Sequence, residues 1–222
     1  MPARDGASAA AEFMTFLNGF VRSLVTAAIL AFGAGGALAQ GERVTPEQAT
    51  QFVQRLADGA LAALSDSARS EDAREQAVRD LLRTEFALDY IGQVALGRAA
   101  RTLTPEQSTR YKAAFAEFAL LRYSNYLGGY QNQTFTILRA NEVQPRDVFV
   151  VSRLEAAGIQ PVNAEWRVRI LDGAPKVIDL RLEQISQTIT LQEEFTAIIE
   201  REGVDGLIAT LERLIAELRA AG

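Results

Sequence analysis

Between two runs in which apolar and charged residues alternate stands the dipeptide Asp172-Gly173. Upstream, Trp166, Val168 and Ile170 share one side of an extended chain, and Glu165, Arg167 and Arg169 share the other. Downstream, Ile178, Leu180 and Leu182 oppose Asp179, Arg181 and Glu183. A period of two belongs to β-strands, and Asp-Gly between two such runs signals a two-residue hairpin turn. No other feature restricts the fold as much. It predicts an antiparallel sheet with one wet face and one apolar face, which another part of the chain must cover. Two more strands, TFTILRA and DVFVVSRLEA, precede the hairpin, with breaks near Asn141 and Gly158-Ile159-Gln160-Pro161. The last strand is read as the whole of KVIDLRLEQI, so the sheet is expected to have four strands.

Helices supply the cover. Thr45-Pro46-Glu47-Gln48 and Thr104-Pro105-Glu106-Gln107 carry the same start signal. Thr is the N-cap, Pro suits the first helical position, and Gln at the third closes a capping box. Phe52, Val53, Leu56, Ala60 and Leu64 then follow a helical period, as do Tyr111, Phe115, Phe118, Leu121 and Tyr126. A further helix is predicted after Ser70, with Val78, Leu81, Leu82 and Phe86 on one face, then a short segment, YIGQVALGRAAR. After the strands, Thr190 and Glu193 predict one helix that stops at Gly203, and Asp205 opens a last one carrying Leu207, Ile208, Leu211, Leu214, Ile215 and Leu218. The class is α+β: helices on one face of a four-stranded antiparallel sheet, with C-terminal helices.

The N-terminus reads as an address. Residues 24–38, LVTAAILAFGAGGAL, follow Arg22 and end at Ala37-Leu38-Ala39. A charged flank, a short apolar run and a small-residue exit form a secretory signal peptide, cut after Ala39. A membrane anchor needs about 20 apolar residues. Met14 is an alternative start, since MTFLNGFVR makes a compact leading region. The division is residues 1–39 as signal peptide and 40–222 as one domain, with no membrane span in the mature part.

Composition narrows the chemistry. The 222 residues contain no Cys and no His, so Ser-His and Cys-His nucleophiles and His-bearing zinc sites are excluded. A net charge of −5 disfavours nucleic acid as a partner. Glu193-Glu194 and Asp89 are the carboxylates that stand out, but neighbours on a helix do not face each other, and Glu193 fits a capping role. No enzyme, metal or cofactor is expected.

Several strings resemble the MlaC family of periplasmic phospholipid-binding proteins. The most specific is ALGRAARTLTPEQSTRYKAAFAEFALLRYSNYLGGY, with Leu96-Gly97-Arg98, then Thr104 to Gln107, then a helix with spaced aromatics ending at Tyr126 to Tyr130. KVIDLRLEQIS and TLQEEFTAIIEREGVDGLIATL are further matches. The chain departs from the family at Ala99-Ala100, where an aromatic is usual, at Gln184-Ile185-Ser186, where the family has Gly-Val-Ser, and at Pro175, where it often has Trp. The resemblance implies a single lipid-binding domain over residues 40–222, acting as a monomeric carrier. Its implied cargo is phospholipid. Its implied partners are an inner-membrane ABC transporter complex with MCE domains and an outer-membrane lipoprotein–porin complex.

A carrier for such cargo needs an apolar slot. Two acyl chains of about 16 carbons expose roughly 30 methylenes, and moving them from membrane to water costs on the order of 20–25 kcal/mol. The expected lining, between sheet and helices, is Phe86, Tyr90, Phe118, Leu121, Ile137, Val150, Val168, Ile178 and Leu180. Tyr90, Tyr123, Tyr126 and Tyr130 are candidates for the slot mouth. The competing reading is a non-catalytic adaptor with a solid core, docking through its final helix.

Overall fold

Thr45 and Thr104 cap their helices as their spacing predicts. Gln48 N–H donates to Thr45 Oγ1 at 3.2 Å, and Thr45 N–H donates back to Gln48 Oε1 at 3.0 Å. Gln107 and Thr104 repeat the exchange at 3.2 and 3.1 Å. The computed structural model describes residues 43–128, 134–143, 146–156 and 159–221. The predicted signal peptide, Tyr130, and Asn132 and Gln133 of a sequon-like Asn-Gln-Thr lie outside the described residues, as does the side chain of Tyr126.

The helices are α1 (Pro46–Ser65), α2 (Glu71–Glu85), α3 (Leu88–Leu96) and α4 (Pro105–Gly128), with a 3-10 turn, Gly97–Arg101, between α3 and α4. The strands are β1 (Thr134–Val143), β2 (Asp147–Ala156), β3 (Ile159–Leu171), β4 (Ala174–Leu182) and β5 (Ile185–Ser186), and helix α5 spans Gln187–Ala221. Gly203, at φ 71° and ψ −178°, breaks α5 where the sequence predicts a stop. Only glycine adopts that backbone region readily. The start of α5 differs from expectation. Ser186, not Thr190, caps it: Ile189 N–H donates to Ser186 Oγ at 3.1 Å, while the Thr190 hydroxyl donates back to Ser186 O at 3.0 Å.

The expected four-stranded sheet is corrected to five strands, antiparallel, in the order β1-β2-β3-β4-β5. KVIDLRLEQI is not one strand. It turns at Glu183-Gln184, both at positive φ (46° and 70°), and Ile185 folds back onto Leu182. A tight hairpin turn with both central residues at positive φ favours Asn and Gly. Glu-Gln carries no such signal, so the turn is invisible to sequence patterning. It is held instead by Asn163, whose N–H donates to Glu183 Oε1 at 2.7 Å and whose carbonyl accepts from Glu183 N–H at 3.1 Å. The Asp172-Gly173 turn forms as predicted, with φ of 51° and 77°.

The apolar face of the sheet carries Val148, Val150, Val168 and Val177, packed under Val44, Ala49, Phe52, Val53 and Leu56 at the start of α1. A second core holds α3, α4 and α5 together through Ile91, Tyr111, Phe115, Phe118, Phe195, Leu207, Ile208 and Leu211. A third, small one joins α1, α2 and α4 at Leu64, Val78, Leu82 and Leu120. The opposite sheet face is less wet than expected. Phe149 and Val151 are buried there, and the guanidinium of Arg181 lies 4.3 Å from the centre of the Phe149 ring. Arginine stems cover apolar surface while their heads stay charged.

Candidate functional site

Globular domains usually close around one contiguous core. Here three apolar regions meet at one residue, Phe86, whose side chain packs against all of them. Phe86 follows the last turn of α2, where its N–H caps the helix by donating to Leu82 O at 3.0 Å. It also bridges to Val177 in β4, and Ala87 N–H donates to Val177 O at 2.9 Å. That junction pins the helical layer to the sheet at one edge.

Around the junction the apolar walls stay half open. Phe135 and Ile137 from β1, Trp166 from β3 and Leu81 from α2 are only partly buried against the sheet core. Trp166 is the centre of an aromatic group: Phe86 and Phe135 meet it edge-on, with ring centres 6.4 and 6.2 Å away. Its indole N–H donates to Ser152 Oγ at 2.8 Å, so the one polar atom of the ring is satisfied within the sheet. What remains facing the seam is hydrocarbon. Such a wall suits the alkyl part of an amphiphile, which needs apolar contact and few polar groups.

The structure brings part of the expected lining together. Ile137, Val150 and Val168 lie in the sheet core, Leu180 pairs with Trp166 across β3 and β4, and Phe86 stands at the junction. Phe118 and Leu121 lie elsewhere, in the three-helix core of α3, α4 and α5. Ile178 is buried but falls at an irregularity in pairing: Arg167 faces Asp179 while Val168 faces Val177. One extra residue on β4 shifts the alternation there, so Val177 takes the sheet-core position that the sequence pattern assigns to Ile178. Tyr90 turns to the charged face, where Arg169 donates to its hydroxyl at 3.2 Å and stacks 5.3 Å from its ring centre. Phe135, Trp166 and Leu81 were not among the expected lining. Phe135 and Trp166 share the alternation of Ile137 and Val168, and that signal could have found them.

The charged face is organised around Asp147, whose side chain is fully buried between Arg167 and Arg169. Arg169 Nε and Nη2 donate to it at 2.6 and 2.9 Å, and Arg167 Nε at 2.8 Å. Burial pushes the Asp147 carboxyl up, but these hydrogen bonds and charges together outweigh it and hold it below the usual carboxylate range. Glu194, by contrast, is raised by burial in spite of the charge on Arg122. Asp89 is exposed. Among the described residues no group of three or more acidic side chains is placed to hold a metal ion, and no helix is long and apolar enough to cross a membrane.

A separate hollow of about 450 Å³ opens between α3, the 3-10 turn and the first half of α4, and Tyr90, Leu103, Lys112 and Phe115 are among its lining residues.

Comparison with known proteins places this arrangement. A family model described as "MlaC protein" matches residues 54–213. The intermembrane phospholipid transport system binding protein MlaC of Haemophilus influenzae is 25% identical over 140 residues, 61% of this chain. The match spans 65% of that relative's own length. A phospholipid-binding protein from Ralstonia solanacearum, solved in complex with a phospholipid, superposes with a TM-score of 0.67 at 25% identity, covering 76% of this chain and 97% of that one.

Proposed function

The chain belongs to the MlaC family, and we propose that it is a periplasmic phospholipid carrier, holding acyl chains against the half-open apolar wall around Trp166. The observation that carries this reading is that wall: Phe86, Phe135, Ile137 and Trp166 meet at the seam of sheet and helices and are left partly uncovered by the protein itself. The Ralstonia relative, similar along nearly its whole length, was solved with a phospholipid, and the Haemophilus relative is named for intermembrane phospholipid transport. The carrier does no catalysis. It lowers the cost of exposing methylenes to water, about 0.8 kcal/mol each, by replacing water with side chains.

Lipid moves between membranes by docking, with an inner-membrane ABC transporter complex bearing MCE domains at one end and an outer-membrane lipoprotein–porin complex at the other. The residues we assign to lipid contact are Phe86, Ile137 and Leu180, with Phe135, Trp166 and Leu81 added; Val150, Val168 and Val177 are fully buried beneath them under α1 and support the wall. Export uses the N-terminal segment, with cleavage after Ala39.

Trp166 is the only tryptophan of the chain, which makes the test specific. Phospholipid carrying bromine on an acyl chain is exchanged into the mature protein. Strong quenching of the indole emission is expected, with none from lipid brominated on the head group only. Lipid that binds without quenching would place the cargo elsewhere.

A further inference from the structure

The hollow between α3 and α4 is distinct from the apolar wall: of the residues expected to line a lipid slot, only Tyr90 borders it. Its volume of about 450 Å³ lies in the range of small-molecule sites. Its floor is apolar and fixed. The Phe115 ring lies under Gly92 so closely that a Cβ there would stand 2.8 Å from Phe115 Cδ1. The Tyr111 hydroxyl donates to Gly92 O at 2.9 Å, tying α4 to α3 across the base. Leu103 and Ala100 continue the apolar lining toward the rim.

The rim is charged. Arg101 comes from the 3-10 turn and Lys112 from α4; both are exposed, and neither has a salt-bridge or hydrogen-bond partner among the described residues. Asp89 also borders the hollow but is within salt-bridge distance of neither cation. Some arginines elsewhere in this structure pair, as Arg110 does with Glu212 and Arg219 with Glu117, while others, Arg55 and Arg98 among them, have no partner among the described residues. Two unpaired cations from different elements, above a rigid apolar floor, are complementary to one kind of molecule.

We propose that this hollow is a second ligand site, taking a small amphipathic anion whose head meets Arg101 and Lys112 and whose short apolar body rests on Leu103 and Ala100. The charged head gains charge-assisted hydrogen bonds. The preformed floor spares the ligand the cost of ordering the site. The head can be a phosphate ester or a carboxylate; both carry the chemistry the rim recognises.

The test uses the mature chain loaded with its phospholipid, titrated with octyl phosphate, octanoate and inorganic phosphate while backbone amide shifts are followed. Saturable shifts in residues 88–115 are expected with one or both octyl compounds, and only weak ones with inorganic phosphate. Ala100→Trp, which fills the hollow, and the pair Arg101→Glu with Lys112→Glu should each weaken the octyl ligands by about tenfold or more. The phospholipid adduct in the intact mass should be unchanged in these variants. Shifts confined to the sheet around Trp166, equal binding in both variants, equal binding of inorganic phosphate, or no saturation would each overturn the assignment.

Discussion

Asp147 shows how much a single buried carboxylate can organise. Its side chain is out of water, and Arg167 and Arg169, each about a quarter exposed, complete its shell (27% and 23%). Removing one partner of a buried pair leaves the other charges uncompensated. Asp147→Asn is therefore expected to cost about 3–5 kcal/mol at neutral pH, measured by urea unfolding. The carboxyl titrates below its ordinary value of 3.8, so its contribution is complete above that pH and is lost as pH falls through the lower, folded value. The difference between wild type and Asp147→Asn should shrink as pH falls below 3.8 and through that lower, folded value. A difference that stays constant with pH would mean that the carboxylate charge is not what stabilises the fold. The same residue scale sets the limit of alternation as a guide. It identifies Arg167 and Arg169 as one face, but nothing local says that a carboxylate 20 or 22 residues upstream unites them.

At the scale of elements, helix starts and strand runs were legible because their signals are local: caps at Thr45 and Thr104, a stop at Gly203, a turn at Asp172-Gly173. The fifth strand was not, because its turn is built from residues that disfavour it. Gln184 sits at φ 70°, a region that costs a non-glycine residue about 1–2 kcal/mol. Gln184→Gly should relieve that strain, less the extra freedom glycine gains in the unfolded chain. A net stabilisation of about 0.5–1 kcal/mol is expected in thermal or urea unfolding. Destabilisation would mean that the Gln184 side chain holds the turn. The wall around Trp166 was partly legible for a related reason. Alternation places Ile137, Val150 and Val168 on the apolar face, but the extra residue in β4 exchanges Ile178 for Val177, and no sequence period announces it. Phe118 and Leu121 show the other limit: a helical period identifies an apolar stripe without saying which neighbour it meets.

For the whole molecule, the division of the interior is the physical basis of the proposed activity. The three-helix core of α3, α4 and α5 and the sheet core under α1 are each well buried, and the apolar surface at their seam is left for an occupant. A ligand that binds only the folded state stabilises it by mass action, so the lipid-loaded protein should unfold at a higher temperature than the same protein after lipid extraction. Equal unfolding temperatures would indicate that the extracted lipid was not bound at a specific site.

The most direct measurement is the intact mass of the mature protein, purified without detergent and sprayed under native conditions. The account predicts a mass exceeding that of the polypeptide by one diacyl phospholipid, released as phospholipid on organic extraction. A bare polypeptide mass, with no lipid recovered and none taken up from vesicles, would contradict it.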